Sequence, residues 1–114
     1  LPQLEDETGL LQADWSGLLP VLMDKNRSIA NRASYFHACL AHTLLLQATT
    51  MRERHGVYNI GLCGGVFQNR KLSDYAVQLL EENGFNACLP LRLPANDAAI
   101  CAGQVVEAAT TQSC

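Results

Sequence analysis

A chain of 114 residues with 48% apolar and 17% charged side chains is sized for one globular domain with its own core, which excludes a disordered chain and leaves no room for a second domain. The net charge of −3 is unevenly placed: residues 1–24 hold Glu5, Asp6, Glu7, Asp14 and Asp24 without Lys or Arg, while the rest is slightly basic. No basic stripe offers phosphate neutralisation, which excludes a nucleic-acid binder, and no apolar run is long enough to span a membrane.

The sequence opens on Leu1 without a basic-then-apolar leader, as an excised or processed fragment would. Residues 1–13 are read as a hairpin turning at Glu7-Thr8-Gly9. Asp14 or Ser16 then caps a short helix with Trp15, Leu18, Leu19 and Leu22 on its apolar side, broken by Lys25, Asn26 and Arg27. The strongest helix is predicted over 28–54. There Ile29, Ala33, Phe36, Leu40, Leu44, Ala48 and Met51 recur by threes and fours along one face, and Gly56 ends it. Residues 57–63 form an apolar run expected as a buried parallel strand.

Gly64-Gly65-Val66-Phe67-Gln68-Asn69 follows as a turn, then a second helix with Leu72, Tyr75, Ala76, Leu79 and Leu80 on one side and a left-handed stop at Asn83-Gly84. Residues 85–91 are the next strand, 92–96 a loop, and Asp97 opens a last helix of small residues over 98–109. The chain is thus one domain over 1–114, with a hairpin and short helix over 1–27 and an α-β-α-β-α unit over 28–114. Short crossovers between the strands predict an α/β layer with a parallel sheet flanked by helices.

Two places carry candidate chemistry. Gly64 and Gly65 sit between a strand and a helix start, where glycine lets a ligand approach the backbone and free amides favour a phosphate. The alternative is a plain tight turn. Asn69 either caps the helix or bonds a ribose or base. Asp97 is read as an N-cap or as a metal or catalytic carboxylate. Loops that leave the carboxyl ends of strands share one crevice. The 64–69 turn and the 96–97 turn are therefore expected side by side, with the helix starts at Asn69 and Asp97 facing a common hollow.

Histidines give less. His37 and His42 lie five apart, so a helix separates them by roughly 140° and does not pair them on a metal. His37 is read as a half-buried, hydrogen-bonded side chain, and His42 and His55 as solvent groups. Cys39, Cys63, Cys88, Cys101 and Cys114 form no C-x-x-C pair. Most stand among apolar neighbours and read as small core residues of a protein kept in the reducing cytoplasm, with Cys114 an exposed terminal thiol. Cys63 alone adjoins a helix start, where a thiol is activated only if a base is also placed.

Four segments together resemble one family. Asp14-Trp15 with Leu18-Leu19, then Phe36-His37-Ala38-Cys39-Leu40-Ala41, then Gly64 to Asn69, then Pro94-Ala95-Asn96-Asp97 with Gly103-Gln104, follow the order and spacing of the C-terminal region of HypF-type hydrogenase-maturation carbamoyltransferases. The tRNA threonylcarbamoyl-transferases share the Gly-Gly-Val turn, but Phe67-Gln68 and Phe36-His37 favour HypF.

The resemblance implies a partial lobe of the actin/Hsp70/sugar-kinase (RNase H-like) fold. It implies ATP and carbamoyl-adenylate as nucleotides, made from carbamoyl phosphate and ATP by a separate domain. The carbamoyl group then passes to the C-terminal cysteine of HypE, on the way to a cyanide ligand of NiFe hydrogenases. Gly64, Gly65 and Asn69 correspond to the nucleotide turn, and Asp97 to a ligand of a divalent metal (zinc, iron or magnesium). No residue here corresponds to a catalytic group. The His-x-x-x-His pair that completes the family's metal site has no counterpart in this sequence, so the fragment alone is expected to be inactive. Cys63 stands where the family usually has serine, and Ala95, Ala98 and Ala99 where it tends to have proline and paired glycines. A lobe without its partner is expected to expose apolar surface, which favours a homodimer. The alternative from another class is a non-catalytic interaction module that docks a partner through acidic residues 5–24.

Overall fold

In a computed structural model, which describes residues 1–111, the chain begins with an antiparallel hairpin of β1 (Gln3–Glu5) and β2 (Leu11–Ala13). Asp6 builds its turn: Oδ1 accepts from Thr8 N at 2.8 Å and Leu10 N at 2.9 Å, and Gly9 takes a φ of 84°. The next helix, α1 (Leu19–Met23), starts later than expected and has no side-chain cap. Asp14 instead accepts from Ser16 N at 2.9 Å, closing the turn that precedes it.

The second helix, α2 (Ile29–His55), is bounded as its local signals dictate. Ser28 accepts from Asn31 N at 3.1 Å, and Gly56 ends it at a φ of 66°. Its core-facing side is narrower than the predicted face, because Ile29 is 78% exposed and Ala33 is exposed as well. That end is tied down by Arg32, whose Nη1 donates to the Leu22 carbonyl at 2.9 Å. Burial begins farther along: Ala41 and Ala48, flanked by Leu40, Leu44 and Leu45, pack on Leu72, Ala76 and Leu80 of α3 (Arg70–Glu82). Gly84, at a φ of 82°, turns the chain back so that Phe85 closes this core beneath the Arg52 guanidinium, 4.4 Å from its ring centre.

Two strands, β3 (Asn59–Gly61) and β4 (Asn86–Cys88), pair in parallel with Ile60 opposite Ala87. They are shorter than the predicted runs, and they are not buried on both faces. Ile60, Leu62, Ala87 and Leu89 belong to the core. The alternate residues Asn59, Gly61, Cys63 and Cys88 are exposed, since a strand sends successive side chains to opposite faces. Cys63, Cys88 and Cys101 are therefore exposed rather than core thiols, Cys39 is half-buried, and Cys114 lies outside the described residues.

After β4 the chain passes through residues 89–96, a 3-10 turn (Asp97–Ala99) and α4 (Ile100–Thr111). That helix packs on the turn leading into it and has no buried residue, which stretches the molecule to 60 × 31 × 28 Å. No helix among the described residues is long and apolar enough to cross a membrane.

Candidate nucleotide-binding rim

Both loops leave the parallel pair at its carboxyl end, and they touch. The amide of Gly64 donates to the carbonyl of Ala95. Around that bond lies a hollow of about 350 Å³, lined by Cys63, Gly64, Pro94, Ala95, Asn96 and Asp97 among others. The expected neighbourhood of the two turns is therefore present, but its membership differs. Gly65 and Asn69 do not line this hollow: Gly65 follows its rim residue Gly64, and Asn69, past the 3-10 turn over Gly65–Gln68, meets His37 on α2.

Each residue of the first turn has a separate job. Gly64 holds a φ of 111° and a ψ of 157°, a region that essentially only glycine occupies. Gly65 has no such constraint, and an added Cβ would meet nothing within 4 Å; its missing side chain leaves open space above the backbone. The amides of Gly65 and Val66 engage no acceptor among the described residues, while those of Phe67 and Asn69 bond the Gly64 and Val66 carbonyls at 3.1 Å each. Asn69 caps α3, its Oδ1 accepting from Leu72 N at 3.1 Å.

Three contacts brace this turn, and through one of them His37 is half-buried and hydrogen-bonded as expected, its partner being the new finding. Asn69 Nδ2 lies 3.2 Å from His37 Nε2 on α2. The Ser73 hydroxyl, on a residue 4% exposed, lies 2.8 Å from the Phe67 carbonyl and 3.0 Å from that of Asn69. Beneath Val66 and Phe67 is an apolar hollow of about 230 Å³ shared with Ala13, Trp15, Leu40 and Leu44. A serine four places after an N-cap asparagine, at a core position, is the one signal that pointed this way. His42, read as a solvent group, is exposed but sits 3.2 Å from the Tyr75 hydroxyl.

The second loop is plainer. Asn96, not Asp97, is the N-cap: its Oδ1 accepts from Ala98 N at 3.1 Å, and its extended backbone leaves Asp97 as the first residue of the 3-10 turn. The Asp97 carboxylate is thereby left exposed, with no bonding partner among the described residues, in the lining of the hollow. Among the described residues no three His, Cys, Asp or Glu side chains come together to hold a metal, and Asp97 stands without two such neighbours.

The description of the family model that matches residues 3–104 reads "Carbamoyltransferase, Kae1-like Domain, second subdomain". The chain belongs to this carbamoyltransferase family, as a HypF C-terminal part. It is 33% identical over 104 residues to a carbamoyltransferase HypF from Synechocystis sp. (strain ATCC 27184 / PCC 6803 / Kazusa), covering 90% of this chain and 13% of the relative. It is 34% identical over 109 residues to a carbamoyltransferase HypF homolog from Cupriavidus necator, covering 91% of this chain and 27% of that protein. The chain thus spans well under a third of either curated relative. No solved structure matches it significantly. In HypF terms the Gly64–Asn69 turn and the Pro94–Asp97 loop both fall within the matched second subdomain.

Proposed function

We propose that this chain supplies one side of an adenylate-binding site to a HypF-type carbamoyltransferase of the actin/Hsp70/sugar-kinase fold. The supporting observation is the Gly64–Ala95 hydrogen bond, which sets a glycine turn with free amides beside an unpaired carboxylate. The Gly65 and Val66 amides donate to the nucleotide phosphate, and the open space at Gly65 lets it approach the backbone. Gly64 sets the direction of the turn, and Asn69 holds its far end.

In the whole protein, carbamoyl-adenylate formed from carbamoyl phosphate and ATP is the donor. The thiolate of the HypE C-terminal cysteine attacks the carbamoyl carbon, the bond to the phosphate oxygen breaks, and AMP leaves. The amides of the turn stabilise the charge gathering on that phosphate. Asp97 contributes one ligand to a divalent ion (zinc, iron or magnesium) whose remaining ligands come from outside this chain. Such an ion would add positive charge beside the phosphate. No residue of this chain acts on the reacting carbon, so the chain alone is inactive, and the whole protein works in the cytoplasm.

Calorimetry with AMP tests the reading. The whole carbamoyltransferase is expected to bind AMP and to lose about tenfold or more in affinity on Gly65→Val, whose side chain fills the open approach. Isolated residues 1–114 are expected to release no pyrophosphate from ATP and carbamoyl phosphate, and to self-associate in sedimentation through exposed Ile100, Val105 and Val106. Unchanged AMP affinity in the Gly65→Val protein would refute the site, and favour an interaction module in which both loops are only turns.

A further inference from the structure

Asn69 is engaged at both ends of its carboxamide. Oδ1 accepts the Leu72 amide, so Nδ2 is the atom that faces His37, since the reverse orientation would set two donors together. An amide nitrogen offers only protons. For the Nε2 atom 3.2 Å away to bond it, that atom has to be the acceptor, which is the tautomer that carries its proton on Nδ1.

This bond links two parts of different rigidity. His37 stands on α2 one turn before Ala41, which is fully buried in the core. Asn69 ends the 3-10 turn, its own amide bonded to Val66 O and its carbonyl within 3.0 Å of the Ser73 hydroxyl. Rotation of the Asn69 side chain would release Leu72 N and loosen the segment that presents the Gly65 and Val66 amides.

We propose that His37 is a positioning residue for the nucleotide turn: as a neutral imidazole accepting from Asn69, it locks that carboxamide as the cap and so aims the free amides of Gly65 and Val66. The inference rests on the reading of this turn as nucleotide-binding. It assigns His37 no contact with ligand.

Protonation turns Nε2 into a donor and sets it against Nδ2, so the lock opens when the ring gains a charge. The charged and titratable groups of the elements that meet here have their own partners or lie elsewhere. Arg70 and Asp74 on α3 pair at 3.6 Å, and Lys71, the next residue after Arg70, is exposed. Arg32 on α2 is bonded to Leu22 O, Asp14 to Ser16 N, and His42 to Tyr75. The ring's other neighbour is Phe36, 5.9 Å away between centroids.

The test is AMP affinity of the whole carbamoyltransferase between about pH 8 and pH 5, the interval in which histidines change charge, for wild type, His37→Gln, His37→Leu and Gly65→Val. The phosphate of AMP also titrates near there, so the readout is the difference between the wild-type and His37→Gln profiles. Glutamine offers an acceptor oxygen at every pH. It is expected to keep the affinity of the wild type at pH 8 and to lack the wild type's extra weakening in acid. His37→Leu is expected to bind about tenfold more weakly throughout, as the loss of one bond predicts. Equal affinity and equal profiles for wild type and His37→Leu, with Gly65→Val weakened, overturn the role of His37 while sparing the site. A lowered melting temperature with parallel pH profiles in all His37 variants also overturns it, because that pattern is merely structural. AMP binding indifferent to Gly65→Val overturns the reading of the turn, and the proposal with it.

Discussion

The two loops that meet at the rim are fastened in very different ways. The 64–69 turn is held by His37 from α2, by Ser73 and the Leu72 amide from α3, and by an apolar underside. The 94–97 loop reaches the rest of the fold through the Ala95–Gly64 bond, and the helix it feeds, α4, buries nothing. Leu91 is 96% exposed, and Val105 and Val106 are 69% and 64% exposed. The rim thus has one braced side and one side whose apolar residues stay in solvent. The braced side fixes geometry; the other leaves its loop and helix without a side-chain hydrogen bond to α2 or α3 among the described residues.

The largest expected effect separates the two sides directly. Leu72 is 1% exposed and joins the cap of α3 to the core. Its replacement by alanine is expected to cost about 2–5 kcal/mol, the usual range for a leucine cavity. Val106→Ser on α4 is expected to stay within about 0.5 kcal/mol. Denaturant unfolding of the isolated chain, at a concentration where sedimentation shows monomer, decides it, and comparable losses in both variants would mean that α4 has a tertiary partner after all.

A smaller effect divides the two adjacent glycines. Any Cβ at Gly64 is strained by its φ of 111°, so Gly64→Ala is expected to lose about 1–3 kcal/mol of stability. Gly65 has neither positive φ nor a neighbour within 4 Å, so Gly65→Ala is expected to melt with the parent. Thermal unfolding of the two variants side by side checks this. If both melt early, Gly65 is structural and the open approach at its backbone loses its meaning.

Much of this was legible in the sequence, for local reasons. Ser28 and Gly56 bound α2, Asn69 and Gly84 bound α3, and short crossovers dictated parallel strands. What escaped depended on distant partners or on a choice between neighbours. Asn96 and Asp97 are equally able caps, and only the extended backbone at Asn96 shows which one serves. Alternation from Ile60 and Leu62 inward puts Cys63 outward, a reading that an apolar run conceals. The strands end early because each has one partner, so residues such as Val57 have no ladder to join. The His37–Asn69 bond joins positions 32 apart, and no local pattern announces it.

The smallest expected effect concerns the hairpin, which covers the underside of the braced turn but is itself held by polar contacts. Arg54 donates to both Glu5 oxygens, at 3.1 and 2.7 Å, and Thr50 Oγ1 lies 3.1 Å from Gln3 Oε1. The Arg54 hydrogen bond lowers the Glu5 carboxyl below its ordinary 4.5, and hydrogen bonds from Thr8 and Ser16 lower Asp6 and Asp14 below 3.8. Groups depressed by folding stabilise the fold above their ordinary values, and that contribution is lost as pH falls through the folded ones. Nothing should therefore change in the hairpin between about pH 7 and pH 5, and it should loosen only below the ordinary carboxylate range. Glu5 and Asp6 are exposed and Asp14 is only half-buried, so the effect is small and weakens with salt. Trp15 is the one tryptophan and sits 6.3 Å from Phe36 between ring centroids, at the edge of the hollow beneath Phe67. Its emission is expected to shift only at the acid end, and Arg54→Gln is expected to move the onset upward toward the unpaired Glu5 value. The 94–97 loop and α4 have no part in these contacts, so a probe placed on α4 should stay silent throughout. A Trp15 transition centred near neutrality that persists in His37→Gln, or one indifferent to Arg54→Gln, would show that the hairpin is not held by its carboxylates.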